Sequence, residues 1–248
     1  MYCGGSPWQT SEQPENNPLT NMMQSEHERR AYLRAMGIDL WIPRDQLDVE
    51  PECAEPEVQP AAGEYDWDEL RSAVAGCTRC PLHASRTQTV FGVGSPAADW
   101  MIIGEAPGAE EDRRGEPFVG RAGKLLDEML LAIREKRESV FIANILKCRP
   151  PNNRDPSPDE AASCRPYLER QIELVRPKII LAVGRIAAQQ LLQSDAPVGR
   201  LRGKVHRLGD TPLVVTYHPA YLLRSPSQKR KSWDDLCLAA GVMAGAAA

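Results

Sequence analysis

Met101-Ile102-Ile103-Gly104-Glu105-Ala106-Pro107-Gly108 begins as a short apolar run and continues as a loop rich in glycine and proline. The loop extends through Gly115–Gly120, and apolar residues then recur at helical spacing in Lys124–Leu131. This order predicts a strand, a loop and a helix. Because glycine lets a backbone approach a ligand closely, a loop with carboxylates and one aromatic side chain is a candidate ligand site. An acidic, solvent-exposed loop is the alternative.

Three more apolar runs resemble the one that precedes this loop, and helical patterns separate them. All four runs are short, rich in Ile, Val or Leu and without clean alternation, which is typical of strands buried on both faces. The predicted strands are Trp100–Ile103, Val140–Leu146, Lys178–Val183 and Leu213–Thr216, and the predicted helices are Gly120–Glu135, Ser157–Arg176 and Arg185–Gln193. The alternation of strand and helix predicts an α/β domain with a central parallel sheet.

Unusual residues fall at or near the carboxyl end of each predicted strand. They are Glu105, Asn144, Gly184 and His218. In open α/β sheets, ligands bind outside the carboxyl ends of the strands. We therefore expect four separate regions of sequence to converge on one crevice, with the glycine-rich loop as part of it.

Charge divides the chain of 248 residues into two parts. Residues 1–64 carry 12 acidic side chains and 4 arginines, whereas residues 65–248 carry a small excess of bases. We predict an acidic, largely disordered extension over 1–64, with a short helix at 26–36, followed by one folded domain over 65–248. Within the extension, the helix and the apolar residues after it either pack on the core or dock another protein.

The composition also indicates where in the cell the protein acts. The N-terminal residues lack an apolar signal segment, and no apolar run reaches the ~18 residues that a membrane helix needs. We expect a monomeric, cytoplasmic protein without membrane contact. The mildly basic domain permits a polyanionic partner without requiring one.

Four of the seven cysteines form a candidate ligand set: Cys77, Cys80, Cys148 and Cys164. The C-x2-C pair alone fits zinc, a redox dithiol or chance, and four thiolates satisfy either zinc or a four-iron cluster. Buried, unligated cysteines are the alternative. The odd number of cysteines argues against a disulfide framework.

Two polar residues and one mixed segment suggest recognition of a nucleic acid. The side-chain amide of Asn144, inside an apolar strand, offers the donor and acceptor pair that suits a base edge, or it satisfies loop backbone. His218 precedes the apolar residues Tyr221–Leu223, and Arg224 follows them. An apolar wedge beside basic residues suits the unstacking of a base pair, although an amphipathic helix with a solvated face has the same pattern.

These motifs together resemble the family 4 uracil-DNA glycosylases, which are the iron–sulfur type. The resemblance rests on Gly104–Gly108, Gly115–Gly120, Lys147–Arg154 and His218–Arg224, with Cys77 and Cys80 where that family has its first two cluster ligands. It covers roughly residues 66–240 and implies a three-layer α/β/α fold with a central, mainly parallel four-stranded sheet. It also implies excision of uracil from DNA and a 4Fe–4S cluster held by the four cysteines.

The resemblance further implies roles for individual residues. The flipped uracil would stack on Phe118 and pair with Asn144, while backbone groups of Gly104 and Ala106 contact it. His218 would stabilise the departing base, and Glu105 or Glu111 would orient water or stabilise the cationic sugar. Leu222 is the expected wedge, with Tyr221 and Leu223 as rivals, and Arg224 is expected to contact DNA.

Two other functions remain open from the sequence. One is a catalytically inactive module on the same fold that binds DNA or a protein partner. The other is a zinc-stabilised nucleotide enzyme. The sequence has neither a Gly-Lys-Ser/Thr phosphate loop nor a Gly-x-Gly-x-x-Gly motif after the first predicted strand, so no nucleotide cofactor is expected.

Overall fold

The computed structural model describes residues 65–246 and, nearer the N-terminus, residues 29, 32–33 and 35–38. The chain divides into two units, Met1–Val58 and Gln59–Ala248. In the first unit, Arg29, Tyr32, Leu33 and Ala35 are helical, within the helix predicted at 26–36. The rest of the predicted disordered extension, residues 1–28 and 39–64, lies outside the described residues.

The second unit is built on a six-stranded sheet with strand order β1-β3-β2-β4-β6-β5. The strands are β1 (Val93–Gly94), β2 (Trp100–Gly104), β3 (Phe141–Asn144), β4 (Ile179–Val183), β5 (Val205–Leu208) and β6 (Thr211–Thr216). The four central strands, β3, β2, β4 and β6, are parallel, and the two edge strands are antiparallel to their neighbours. The chain proceeds from β2 to β3 on one side and then to β4 on the other, so a crevice opens beside β2.

Eight helices accompany the sheet in residues 65–246. They are α1 (Trp67–Ala75), α2 (Ala109–Arg114), α3 (Arg121–Ala132), α4 (Pro158–Val175), α5 (Arg185–Leu192), α6 (Val198–Leu201), α7 (Pro219–Arg224) and α8 (Lys229–Ala246). Capping boxes start α1 at Asp66 and α4 at Ser157, where the cap side chain and the glutamate three residues on satisfy opposing backbone N–H groups. No helix in these residues is long and apolar enough to cross a membrane.

Two apolar layers enclose the sheet, one on each face. Alternate residues of β2 supply both, with Met101 and Ile103 in one layer and Trp100 and Ile102 in the other. Helices α1, α4 and α5 pack on the first layer, and α3, α7 and α8 pack on the second. The predicted α/β/α fold, its four central strands and their burial on both faces are therefore confirmed.

The structure corrects the predicted sheet at its edges. Strands β1 and β5 were not predicted, because β1 has two residues and β5 is half exposed, so neither has a continuous apolar run. The predicted strand Val140–Leu146 is also too long. Strand β3 ends at Asn144, although Ile145 and Leu146 remain buried in the loop that follows.

Candidate active site

A cavity of about 650 Å³ opens at the carboxyl ends of the parallel strands. Loops after β2, β3, β4 and β6 line it, as the sequence predicts for this edge of the sheet. Its lining includes the predicted site residues Glu105, Ala106, Glu111, Phe118, Asn144, His218 and Arg224. The structure therefore brings together side chains that are more than one hundred residues apart in the sequence.

Asn144 is the most deeply buried polar group of this cavity, with 2% of its surface exposed. Its Oδ1 has no hydrogen-bond partner, whereas its backbone carbonyl accepts a bond of 2.9 Å from Lys147 Nζ. A buried amide without a partner costs about 1–3 kcal/mol. The backbone of Asn144 is thus held in place while its side chain remains available to a ligand.

Gly104 creates the space between Asn144 and Phe118. A Cβ atom at Gly104 would lie 2.5 Å from Asn144 Oδ1 and 2.5 Å from Phe118 Cζ, which no side chain can do without displacing them. Gly104 pairs with Asn144 in the parallel register of β2 and β3. The predicted close approach at Gly104 therefore has a steric basis.

The rings of Phe118 and His218 stack on each other, and both residues line the cavity. Their ring centroids are 5.6 Å apart with an interplanar angle of 30°. Phe118 has φ of +54°, a left-handed conformation that costs a residue with a Cβ about 1–2 kcal/mol. Contacts elsewhere must stabilise this conformation, and it fixes the direction of the ring.

His218 caps the N-terminus of α7 and is held in one tautomer. Its Nδ1 accepts a hydrogen bond of 3.1 Å from the backbone N–H of Ala220. Burial, reinforced by the nearby cation Arg224, lowers the pKa of His218 to about 4. The imidazole is therefore neutral at physiological pH and carries its proton on Nε2.

The two predicted carboxylates have different surroundings. Burial raises the pKa of Glu105 above its usual range; the neighbouring Asp155 adds to the rise and Arg185 opposes it. Glu111 Oε1 instead accepts hydrogen bonds of 3.0 Å from the N–H groups of Val119 and Gly120. One carboxylate thus remains available for chemistry, and the other binds loop backbone.

The structure contradicts the prediction that Leu222 is the wedge. It is 1% exposed and packs in the apolar layer with α3 and α8. Its neighbours Tyr221 and Leu223 are 37% and 38% exposed. A leucine buried in a helix–sheet interface cannot enter a base stack without unpacking the core, so the two rivals are the remaining candidates.

Sequence reasoning missed several residues of the cavity. Tyr217 lines it and packs against Tyr221 with ring centroids 5.1 Å apart. Arg185 Nη2 contacts Asp155 Oδ2 at 2.5 Å, which links the loop after β3 to the start of α5. The position of Arg185 directly after Gly184 was the available signal, because a residue that starts a helix after a strand lies at the ligand-binding edge.

A second, smaller cavity contains all four predicted metal ligands. Cys77 and Cys80 follow α1, Cys148 follows β3 and Cys164 lies on α4, and all four line the same space. Burial raises the pKa of the Cys164 thiol to about 11 and raises that of Cys148, so neither is predisposed to ionise without a positive partner. Arg86 Nη1 donates to Cys148 Sγ at 3.1 Å, and the Lys147 N–H donates to Cys164 Sγ at 3.3 Å.

This donor set consists of four thiols around one cavity, which suits a metal centre bound by four cysteines. Within the described part of the chain, no three His, Cys, Asp or Glu side chains lie close enough to hold one metal ion. A zinc ion draws its four ligands to about 2.3 Å from one point, whereas each thiolate of a four-iron cluster binds a different iron and lies further from the others. Four sulfurs line this one cavity, and N–H donors point at two of them, so the residues present fit a centre bound by four thiolates.

Comparison with known proteins identifies the family. The Uracil DNA glycosylase superfamily matches residues 91–238. The Type-4 uracil-DNA glycosylase of Archaeoglobus fulgidus is 43% identical over 68% of this chain and 88% of its own length. This chain belongs to the type-4 uracil-DNA glycosylases.

Other relatives support this family assignment. The Type-4 uracil-DNA glycosylase of Thermotoga maritima is 44% identical over 66% of this chain and 89% of its own length. The Type-5 uracil-DNA glycosylase of Pyrobaculum aerophilum is only 28% identical, over 63% of this chain. The resemblance inferred from the motifs is therefore confirmed.

Proposed function

We propose that this protein removes uracil from DNA by hydrolysing its N-glycosidic bond, leaving an abasic site. The observation that carries the proposal is the unpartnered amide of Asn144 in the cavity, beside the space that Gly104 leaves open. Membership of the type-4 family supports the same conclusion.

Asn144 is proposed to select uracil. Uracil presents an N–H donor at N3 and a carbonyl acceptor at O4, which a side-chain amide matches with its own acceptor and donor. Cytosine presents the opposite pattern at both atoms. Because the cavity buries Asn144, a mismatched donor or acceptor remains unpaired and costs enough free energy for strong discrimination.

The base must leave the DNA stack before it reaches this cavity. We propose that Phe118 stacks on the flipped base, while the backbone of Gly104, Ala106 and the rest of that loop contacts its edge. Leu223 or Tyr221 fills the gap in the duplex, because these two side chains are exposed to solvent. The exposed guanidinium of Arg224 contacts a phosphate.

The chemical step is proposed to use His218 and two carboxylates. The N-glycosidic bond breaks with its electron pair moving to uracil, and the Nε2–H of His218 stabilises the negative charge that develops on O2. Water attacks the cationic C1′, oriented by ionised Glu105, which takes the released proton. Glu111 lies on the same cavity and stabilises the cationic sugar through its negative charge.

We also propose a 4Fe–4S cluster bound by Cys77, Cys80, Cys148 and Cys164. When bound, the cluster supplies a structural link rather than redox chemistry, because glycosidic hydrolysis transfers no electrons. It ties the segment after α1 to the loop after β3, the strand that ends with Asn144. The monomeric state, the cytoplasmic location and the docking of a partner by residues 1–64 stay predictions.

The test is to incubate the purified protein with an oligonucleotide that contains one uracil and to cleave abasic sites with alkali. Cleavage at uracil, absent from a thymine control, is expected. Asn144→Ala should slow excision about 10–100-fold, in line with the loss of about 1–3 kcal/mol of pairing. DNA binding without cleavage by cluster-loaded protein would instead support the inactive binding module.

A further inference from the structure

Phe118 is held in its unfavourable conformation by charged groups on both sides of its loop. The segment Pro117–Gly120 has carbonyl groups on one side and N–H groups on the other, and each set contacts a different charged side chain. The guanidinium of Arg137 donates to the carbonyls of Pro117 and of Phe118, the latter at 3.2 Å. Glu111 accepts from the two following N–H groups, as described above.

Arg137 is itself fixed in place. Its Nη1 lies 3.2 Å from Asp127 Oδ1 on α3, and only 19% of its side chain is exposed. Arg137 lies in the loop between α3 and β3, and it is not among the residues that line the cavity. It therefore cannot touch a base in the cavity, yet it contacts the backbone that directs the Phe118 ring.

The start of α3 leaves room for this arrangement. A Cβ at Gly123 would lie 1.7 Å from the carbonyl oxygen of Phe118, so only glycine permits α3 to pass this close. The Phe118 carbonyl thus lies against the helix on one side and receives the guanidinium on another. Together these contacts compensate for the left-handed conformation, whose cost is about 1–3 kcal/mol at such sites.

We propose that Arg137 is a positioning residue that holds Phe118 against the flipped base and so contributes to excision without contacting the substrate. This inference rests on the proposed function. It assigns to Arg137 an effect that passes through the Phe118 ring. Removing Arg137 should therefore matter only when that ring is present.

The test is a double-mutant cycle on single-turnover uracil excision. Arg137→Met keeps the length of the side chain but removes its charge and its donors. In the wild-type background it should slow excision about 10–100-fold, since misplacement of a reacting group by about 1 Å has this effect. In the Phe118→Ala background the same substitution should change the rate less than about two-fold, because coupled residues are not additive.

Two further variants distinguish a positioning effect of Arg137 from a general folding defect. Asp127→Asn leaves Arg137 in place without its anchoring carboxylate and should give a smaller loss that also disappears in Phe118→Ala. Arg134→Met removes an exposed arginine from the same loop and should have no effect. Hydrogen exchange of the Val119 and Gly120 amides should accelerate in Arg137→Met but not in Arg134→Met.

Each outcome bears on a different claim. An equal loss from Arg137→Met in both backgrounds, or a wild-type rate in the single variant, would overturn the positioning role. Unchanged amide exchange would also overturn it. Absence of uracil release by the wild-type protein would refute the proposed function, whereas faster amide exchange would still support the role of Arg137 in holding the loop.

Discussion

The two cavities of this domain share one loop but differ in what they leave unsatisfied. This loop follows Asn144, the last residue of β3, and contributes Cys148 to the small cavity and Asn153 to the large one. In the large cavity a buried amide has no partner, whereas in the small one N–H donors already point at two sulfurs. A site that binds a ligand transiently keeps hydrogen-bonding groups free for that ligand. A site that holds a permanent group already has its donors directed at the atoms that bind the group.

This contrast predicts that changes in the small cavity act on stability and changes in the large cavity act on turnover. The largest effect should come from Cys164→Ser. Loss of one ligand of the proposed cluster should reduce iron content and visible absorption. It should also lower stability by about 5 kcal/mol or more, since structural metal sites contribute about 10 kcal/mol to folding. Cys237→Ser, which changes an exposed cysteine, is the matched control and should alter none of these.

The next largest effect should be on catalysis. His218→Ala removes the proposed donor to the departing base and should lower turnover about 10²–10³-fold, the usual cost of losing such a donor. The dissociation constant for uracil-containing DNA should change little, whereas loss of the α7 cap should lower the free energy of unfolding by about 1 kcal/mol. His206→Ala, at a half-buried histidine of β5, is the control. An equal loss of DNA affinity and turnover would argue against charge stabilisation by His218.

Two adjacent leucines sharpen the comparison within one short helix. Leu222→Ala should lower the free energy of unfolding by about 3 kcal/mol, because it leaves a void in the apolar layer. Leu223→Ala should change stability by less than about 0.5 kcal/mol but should slow excision from duplex DNA more than from single strands. Thermal melts and paired excision assays measure both. A stability loss at Leu223 and none at Leu222 would reverse this assignment.

The smallest effect should be a shift in the pH profile. In the proposed mechanism Glu105 must be ionised to orient water, so excision should decline as pH falls through its raised pKa. Asp155→Asn removes a cause of the rise and should move the decline to lower pH, whereas Arg185→Gln removes the opposing charge and should move it to higher pH. His218, with a pKa of about 4, stays neutral through this range. If both variants shifted the pH profile in the same direction, Asp155 and Arg185 would not act through the pKa of Glu105.

The sequence predicted the centre of the fold well and its edges poorly. Buried strands such as β2 and β4 have continuous apolar runs that a sequence shows directly. Strand β5 has no such run because it forms an edge hairpin with β6, where pairing partners rather than burial define the strand. The same limit applies to β1, whose two residues are recognisable only from their pairing with β3.

The sequence also predicted which strand ends meet, but not what each side chain does there. The roles of Leu222 and Leu223 depend on which face of α7 packs on the sheet, and both faces carry apolar residues. Likewise, nothing in the sequence distinguishes Glu105 from Glu111 as carboxylates. Their difference arises because the 115–120 loop folds back and presents its N–H groups to Glu111.

By itself, the sequence determined the parallel α/β core, the convergence of four strand ends and the set of four cysteines, because apolar runs and motif order encode them locally. Only the tertiary structure decided which leucine is exposed, which carboxylate is available and how Phe118 is oriented. Those properties depend on contacts between distant segments, such as Arg137 with the carbonyls of Pro117 and Phe118. A side chain acquires its role from the neighbours that burial and hydrogen bonding give it, and those neighbours are not adjacent in the sequence.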